Sequence, residues 1–120
     1  MYKILVVDDA GFMRKMIQTH LSKGGYTDFI EGQDGAEAVV QYQEHKPDLV
    51  IMDITMPNMD GIEALGKIKS IDPKSKVVMC SAMGQESMVM EAIKLGALDF
   101  IVKPFKPERI IQTVNKILPL

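Results

Sequence analysis

Five short apolar runs alternate along the chain with longer segments in which apolar residues recur every three or four positions. Residues 4–7, 49–52 and 77–80 are continuous and rich in branched side chains, the pattern of strands buried on both faces. A run near residues 26–30 is mixed in polarity and predicts an edge strand. Residues 98–102 predict the last strand. The intervening segments read as helices. Their apolar stripes are Met13, Met16, Ile17 and Leu21; Val39 and Val40; Ile62, Leu65 and Ile68; Val89, Ala92 and Ile93; and Ile110, Ile111, Val114, Ile117 and Leu118. The punctuation agrees. Asp34-Gly35-Ala36-Glu37 and Asp60-Gly61-Ile62-Glu63 have the form of capping boxes with Asp as the cap. Gly24-Gly25, Asp72-Pro73 and Leu95-Gly96 stop helices, and Pro107 suits the first turn of one. Strand and helix alternating in this way predict an α/β domain: a doubly wound, five-stranded parallel sheet with helices on both faces.

In such a sheet all carboxyl ends lie on one edge, where open parallel sheets place their chemistry. Those ends are Asp8 and Asp9, Asp53, Ser81 and Lys103. Asp53 by itself reads equally well as the first polar residue after a strand. The set is harder to dismiss, because three acids, a hydroxyl and an amine share one rim. Two carboxylates about 4 Å apart repel by ~4 kcal/mol at an effective dielectric of about 20. Three need a cation or a shared proton, and Lys103 balances only one charge. Hard oxygen ligands, in a chain with one Cys and two distant His, suit magnesium. A divalent cation beside a carboxylate and a lysine is the apparatus of phosphoryl transfer. Asp53 is then the nucleophile, giving an aspartyl phosphate.

Composition narrows the setting. The 120 residues suffice for one domain, and the net charge of -2 argues against a nucleic-acid surface. No apolar run approaches the ~20 residues that span a bilayer. The start at Met1-Tyr2-Lys3-Ile4 lacks signal-peptide anatomy, and Cys80 has no partner for a disulfide. A cytoplasmic protein without membrane attachment is expected.

Asp8-Asp9, Asp53 with the following Met56-Pro57 and Asp60-Gly61, Ser81-Ala82, and Lys103-Pro104-Phe105 resemble, in order and spacing, the receiver domain of two-component response regulators. The resemblance covers essentially the whole chain, with residues 1–120 as one receiver domain and no output domain. Residues 80–85 and 100–105 make it most similar to the single-domain chemotaxis members. It implies a flavodoxin-like strand order, 2-1-3-4-5. It implies that Asp53 accepts phosphate from a histidine kinase, with Asp9 and Asp53 binding magnesium directly, Asp8 through water and Thr55 through its main-chain carbonyl. Lys103 pairs with the phosphoryl group and Ser81 hydrogen-bonds it. Phe100 stands where the family has a mobile aromatic, often Tyr, and the Lys103-Pro104 bond is cis. The implied role is a monomeric switch, catalytic only toward its own phosphorylation and dephosphorylation. Its implied partners are a chemotaxis-type histidine kinase, a flagellar motor switch or an adaptor to it, and a phosphatase. Thr55 and Met83 depart from the pattern, replacing a frequent Asn and a frequent acid. Neither side chain orients water as those do, so a fairly long-lived phosphate is expected.

Three other readings compete. A haloacid-dehalogenase-type phosphatase wants a second Asp two residues after the nucleophile, where Thr55 stands. A flavodoxin-like cofactor binder wants a phosphate loop where Asp8-Asp9 would repel phosphate. A phosphate-independent interaction module has no use for the intact polar rim. Of the methionines, Met13, Met16, Met52 and Met79 read as core, whereas Met56, Met59, Met83, Met88 and Met90 fall in or near the loops that follow Asp53 and Ser81, where a switch would move and a partner could touch them. His20 and His45 read as ordinary surface or boundary residues.

Overall fold

The computed structural model describes residues 1–120. Its strands are β1 (Lys3–Val7), β2 (Asp28–Gly32), β3 (Leu49–Asp53), β4 (Val77–Ser81) and β5 (Asp99–Val102). Its helices are α1 (Gly11–Lys23), α2 (Gly35–His45), α3 (Gly61–Ile71), α4 (Glu86–Leu95) and α5 (Pro107–Ile117). Every strand pair is parallel and the order is β2-β1-β3-β4-β5, as the alternation and the resemblance predict.

Alternation within the central strands decides where each helix lies. Leu5, Val7, Val50, Met52, Val77 and Met79 point to one face, where α2, α3 and α4 cover them through Ala38, Leu65, Ile68 and Ala92. Ile4, Val6, Leu49, Ile51, Val78 and Cys80 point to the other, under Ile17 and Leu21 of α1 and Ile110 and Val114 of α5. Each fully buried Leu or Ile contributes ~1.5–3 kcal/mol, so a central strand with both faces covered anchors the domain. The register then sets the rim. Val7 lies beside Met52, Asp53 beside Cys80, and Ser81 beside Val102, so Asp8, Asp53, Ser81 and Lys103 emerge within one or two residues of a common level.

The caps form as the sequence predicts. Asp34 accepts from the Glu37 N–H and Asp60 from the Glu63 N–H, each at 2.8 Å. The Lys103-Pro104 peptide is cis.

Some boundaries and faces differ from the pattern. β2 starts at Asp28, because Tyr26 is taken by another role: its buried hydroxyl donates to the Leu118 carbonyl at 2.7 Å. Val40 is exposed, and α2 buries Ala38 and Tyr42, four residues apart on one face. The Tyr42 hydroxyl donates to Asp72, and burial with that carboxylate pushes its pKa up to about 12. Met56, in the loop after β3, is buried in the core. His20 is half-buried, with its ring edge-on to Phe105.

Candidate functional site

β1, β3 and β5 deliver the charged groups. Asp8 follows β1 directly and is almost wholly buried. It is fixed at its own corner, where its Oδ1 accepts from the Ala10 N–H at 2.9 Å and its carbonyl accepts from Arg14 at 2.6 Å. Asp53 closes β3 with its side chain 12% exposed, so it is shielded from bulk water yet open on one side. Lys103 follows β5, and its N–H donates to the Ser81 carbonyl at 2.7 Å, which locks the two strand ends together. The Lys103 Nζ lies 2.9 Å from Asp8 Oδ2 and 2.9 Å from Asp53 Oδ2. Asp9 is exposed, but one carboxylate oxygen from each of Asp8, Asp9 and Asp53 falls within a 4.8 Å cluster.

Burial and charge pull in opposite directions here. Burial raises the Asp53 pKa above the ordinary carboxylate value; Lys103 opposes the shift and Asp8 adds to it. For Lys103, burial favours the neutral amine, but the hydrogen bonds and charges of Asp53 and Asp8 outweigh it, and its pKa is raised. Lys103 is therefore a fixed positive charge at any physiological pH. Three carboxylates against one ammonium leave the cluster two charges short of neutrality, and like charges at such separations repel by on the order of 3–4 kcal/mol per pair. The donor set is all carboxylate oxygen, with no Cys or His within it. That fits a hard divalent cation that retains some of its waters.

The remaining residues surround this centre. Ser81 ends β4, buried. Thr55, two residues beyond Asp53, is exposed. Phe100 sits on β5 beside Met79, 36% exposed, at the edge of a groove of ≈ 380 Å³ between β5 and α4. Met83 and Met90 line the same groove and are exposed. The acids, the hydroxyl and the lysine expected from the strand ends thus share one rim, and Phe100 lies one strand position away from it. His45 stays exposed and away from the site, and Cys80 is fully buried with its thiol pushed up to about 12 by burial.

Two residues at the rim escape sequence reasoning. Arg14 braces the β1 corner by donating to the Asp8 carbonyl and to Glu31 at 2.7 Å. No motif marks it, since it lies just off the apolar stripe of α1. Gln85 bridges the loops after β3 and β4. In the sequence it is only a polar loop residue before a helix.

Comparison with known proteins accords with this geometry. A family model described as "Response regulator receiver domain" matches residues 4–115. The chemotaxis protein CheY of Bacillus subtilis (strain 168) is 57% identical over 117 residues, covering 98% of each chain. That of Thermotoga maritima is 55% identical over 115 residues, covering 96% of each. Among solved structures, the CheX-CheY-BeF3-Mg+2 complex from Borrelia burgdorferi matches with a TM-score of 0.92 and 36% identity, over 99% of this chain and 90% of that one. The chain belongs to the response regulator receiver family. Within it, this is a CheY-type chemotaxis response regulator, a phosphorylation switch and not an enzyme acting on other molecules. No helix is long and apolar enough to cross a membrane.

Proposed function

We propose that Asp53 is the phosphoacceptor of this switch and that Asp8, Asp9 and Asp53, with the main-chain carbonyl of Thr55, hold magnesium. One observation carries the reading: Asp53 is shielded, backed by Lys103 at 2.9 Å, and within 4.8 Å of two further carboxylates. When bound, the cation neutralises charge on the acids and on the incoming phosphoryl group. The chain's residues do the rest. A carboxylate oxygen of Asp53 attacks phosphorus, and the P–N bond of a phosphohistidine breaks with its electron pair passing to the imidazole. Lys103, already charged, offers its ammonium to the phosphoryl oxygens in exchange for part of its bond to Asp53. Ser81 supplies a hydroxyl from the neighbouring strand end.

The phosphoryl group brings about -1.5 to -2 charge and three acceptor oxygens. Drawing Ser81 and Lys103 toward it shifts residues 82–85 and opens space for Phe100 to turn inward. The altered face comprises α4, β5 and α5. Moving such a two-state element from mostly off to mostly on takes ~5.5 kcal/mol of differential binding, within reach of two or three charge-assisted hydrogen bonds at ~1.5–3 kcal/mol each. A chemotaxis-type histidine kinase is the donor, a flagellar motor switch or its adaptor the output partner, and a phosphatase a further partner. The Borrelia burgdorferi complex, in which a CheY is bound to CheX with BeF3 and Mg+2, supports both the cation and the binding of partner proteins. The chain works as a monomer. Thr55 and Met83 bring neither amide nor acid to the acceptor, and the Gln85 amide is engaged elsewhere, so the phosphate is long-lived.

The test is incubation with a small acyl phosphate, with and without magnesium, read by intact mass. A single phosphoryl adduct requiring both magnesium and Asp53, and absent from Asp53→Asn, is expected. No adduct under any condition overturns the assignment. Rapid loss of an adduct once formed overturns the long lifetime.

A further inference from the structure

Gln85 immediately precedes α4 but does not cap it: no side chain caps the N-terminus of that helix. Its carboxamide faces the other way. Oε1 accepts from the Ala82 N–H at 2.7 Å, and Nε2 donates to Thr55 Oγ1 at 2.8 Å. The same Nε2 lies 3.9 Å from Met88 Sδ in the first turn of α4. Ala82 is the first residue after Ser81, and Thr55 is the second after Asp53. One carboxamide therefore ties the loop behind the acid to the loop behind the hydroxyl. It is the only side-chain to side-chain hydrogen bond between those loops.

The surroundings make this tie matter. Ala82, Met83 and Gly84 are exposed, and Gly84 stands at φ +89 with open space around it. A loop so lightly packed has little else to define its position. Behind it lies the groove that Phe100 borders. If the loop moves when Asp53 is phosphorylated, the Gln85–Thr55 bond resists, because its two ends belong to segments that must shift relative to one another.

We infer that Gln85 is a positioning residue: its carboxamide latches the β4–α4 loop to Thr55 and holds the switch in its resting geometry. The role in switching rests on Asp53 being the phosphoacceptor. The latch raises the cost of leaving the resting state, and its removal shifts the population toward the active one. A net hydrogen bond of this kind changes such an equilibrium by roughly three- to tenfold.

The experiment compares wild type, Gln85→Ala, Thr55→Val, Thr55→Ser and the Gln85→Ala/Thr55→Val double variant. Two readouts are taken: hydrogen exchange at the Ala82 amide in the unphosphorylated protein, and the acyl phosphate concentration that phosphorylates half the protein in magnesium. Gln85→Ala is expected to speed Ala82 exchange and to lower the half-point, each by roughly three- to tenfold. In magnesium-free, unphosphorylated protein Thr55→Val also speeds Ala82 exchange although its side chain never touches Ala82, and Thr55→Ser, which keeps the accepting hydroxyl, retains the Ala82 protection. The double variant goes no further than Gln85→Ala, because both substitutions break one connection. Additive effects, or wild-type behaviour of Gln85→Ala or of Thr55→Val, overturn the latch. If wild type takes up no phosphoryl group, the Asp53 assignment falls, and the latch stands or falls on the exchange pattern alone.

Discussion

α3 and α4 leave the same edge of the sheet, one after the strand that ends in Asp53 and the other after the strand that ends in Ser81, yet they are held in opposite ways. α3 is fastened at its start. Asp60 caps it, the Gly61 N–H donates to the Ile54 carbonyl at 2.7 Å, and Gly61 lies so close to the Asp53 carbonyl and the Met79 methyl that a β-carbon has no room. Ala64, Leu65 and Ile68 are then wholly buried. α4 starts from an exposed loop without a side-chain cap, buries Val89 and Ala92, and leaves Met90 and Ile93 facing water over a groove. The difference separates two tasks. On the proposed assignment, the acid that takes the phosphoryl group keeps its geometry in front of a packed and capped helix. On the same assignment, the hydroxyl that moves is followed by a loop tied by one carboxamide and by a helix that buries less and has no side-chain cap.

The largest expected contrast is in packing. Leu65→Ala should cost about 3 kcal/mol, within the usual span for a fully buried leucine. Ile93→Ala on α4, 40% exposed, should cost under about 1 kcal/mol. Urea unfolding at constant m measures both. Equal costs would mean that α4 is as firmly held as α3, and the contrast would fail.

A smaller effect comes from the acid itself. The folded-state pKa of Asp53 is raised, chiefly by burial, so its ionisation opposes folding. A raised carboxylate favours the folded state most below its unfolded value of about 3.9, and that contribution is lost as pH climbs through the folded value. Asp53→Asn, which never ionises, should therefore gain stability relative to wild type as pH goes from about 4 to 7. Lys103 adds nothing to this window, because it is charged up to alkaline pH in both states, by its ordinary value when unfolded and by a raised one when folded. Urea midpoints at both pH values check the sign. A midpoint difference that shrinks toward neutrality would place the strain elsewhere than at Asp53, and the functional rim would no longer be the destabilised part of the rigid half.

Much of this was legible in the sequence. Continuous branched runs at residues 4–7, 49–52 and 77–80 mark strands buried on both faces, and the polar residue after each run then marks the rim. Asp34 and Asp60 announce their own caps, because an acid three residues before Glu is a local signal with a local consequence. Features made by distant parts of the chain were not legible. Tyr26 looks like the start of a strand because nothing nearby reveals that its hydroxyl meets Leu118. Val40 looks as apolar as Val39, and only the packed face of α2 shows that Ala38 and Tyr42 take the interior. Met56 falls in a polar loop by sequence but is turned into the core. Arg14 and Gln85 carry no pattern at all, since each acquires its role from a partner on another loop or strand.

On the proposed assignment, phosphorylation at the rigid acid is read out through the loosely held helix. Hydrogen exchange across the whole chain, before and after phosphorylation with acyl phosphate and magnesium, tests it most directly. Altered exchange is expected in residues 82–95 and 99–102, with residues 61–71 of α3 unchanged. Changes centred on α3, or spread evenly over both helices, would contradict it.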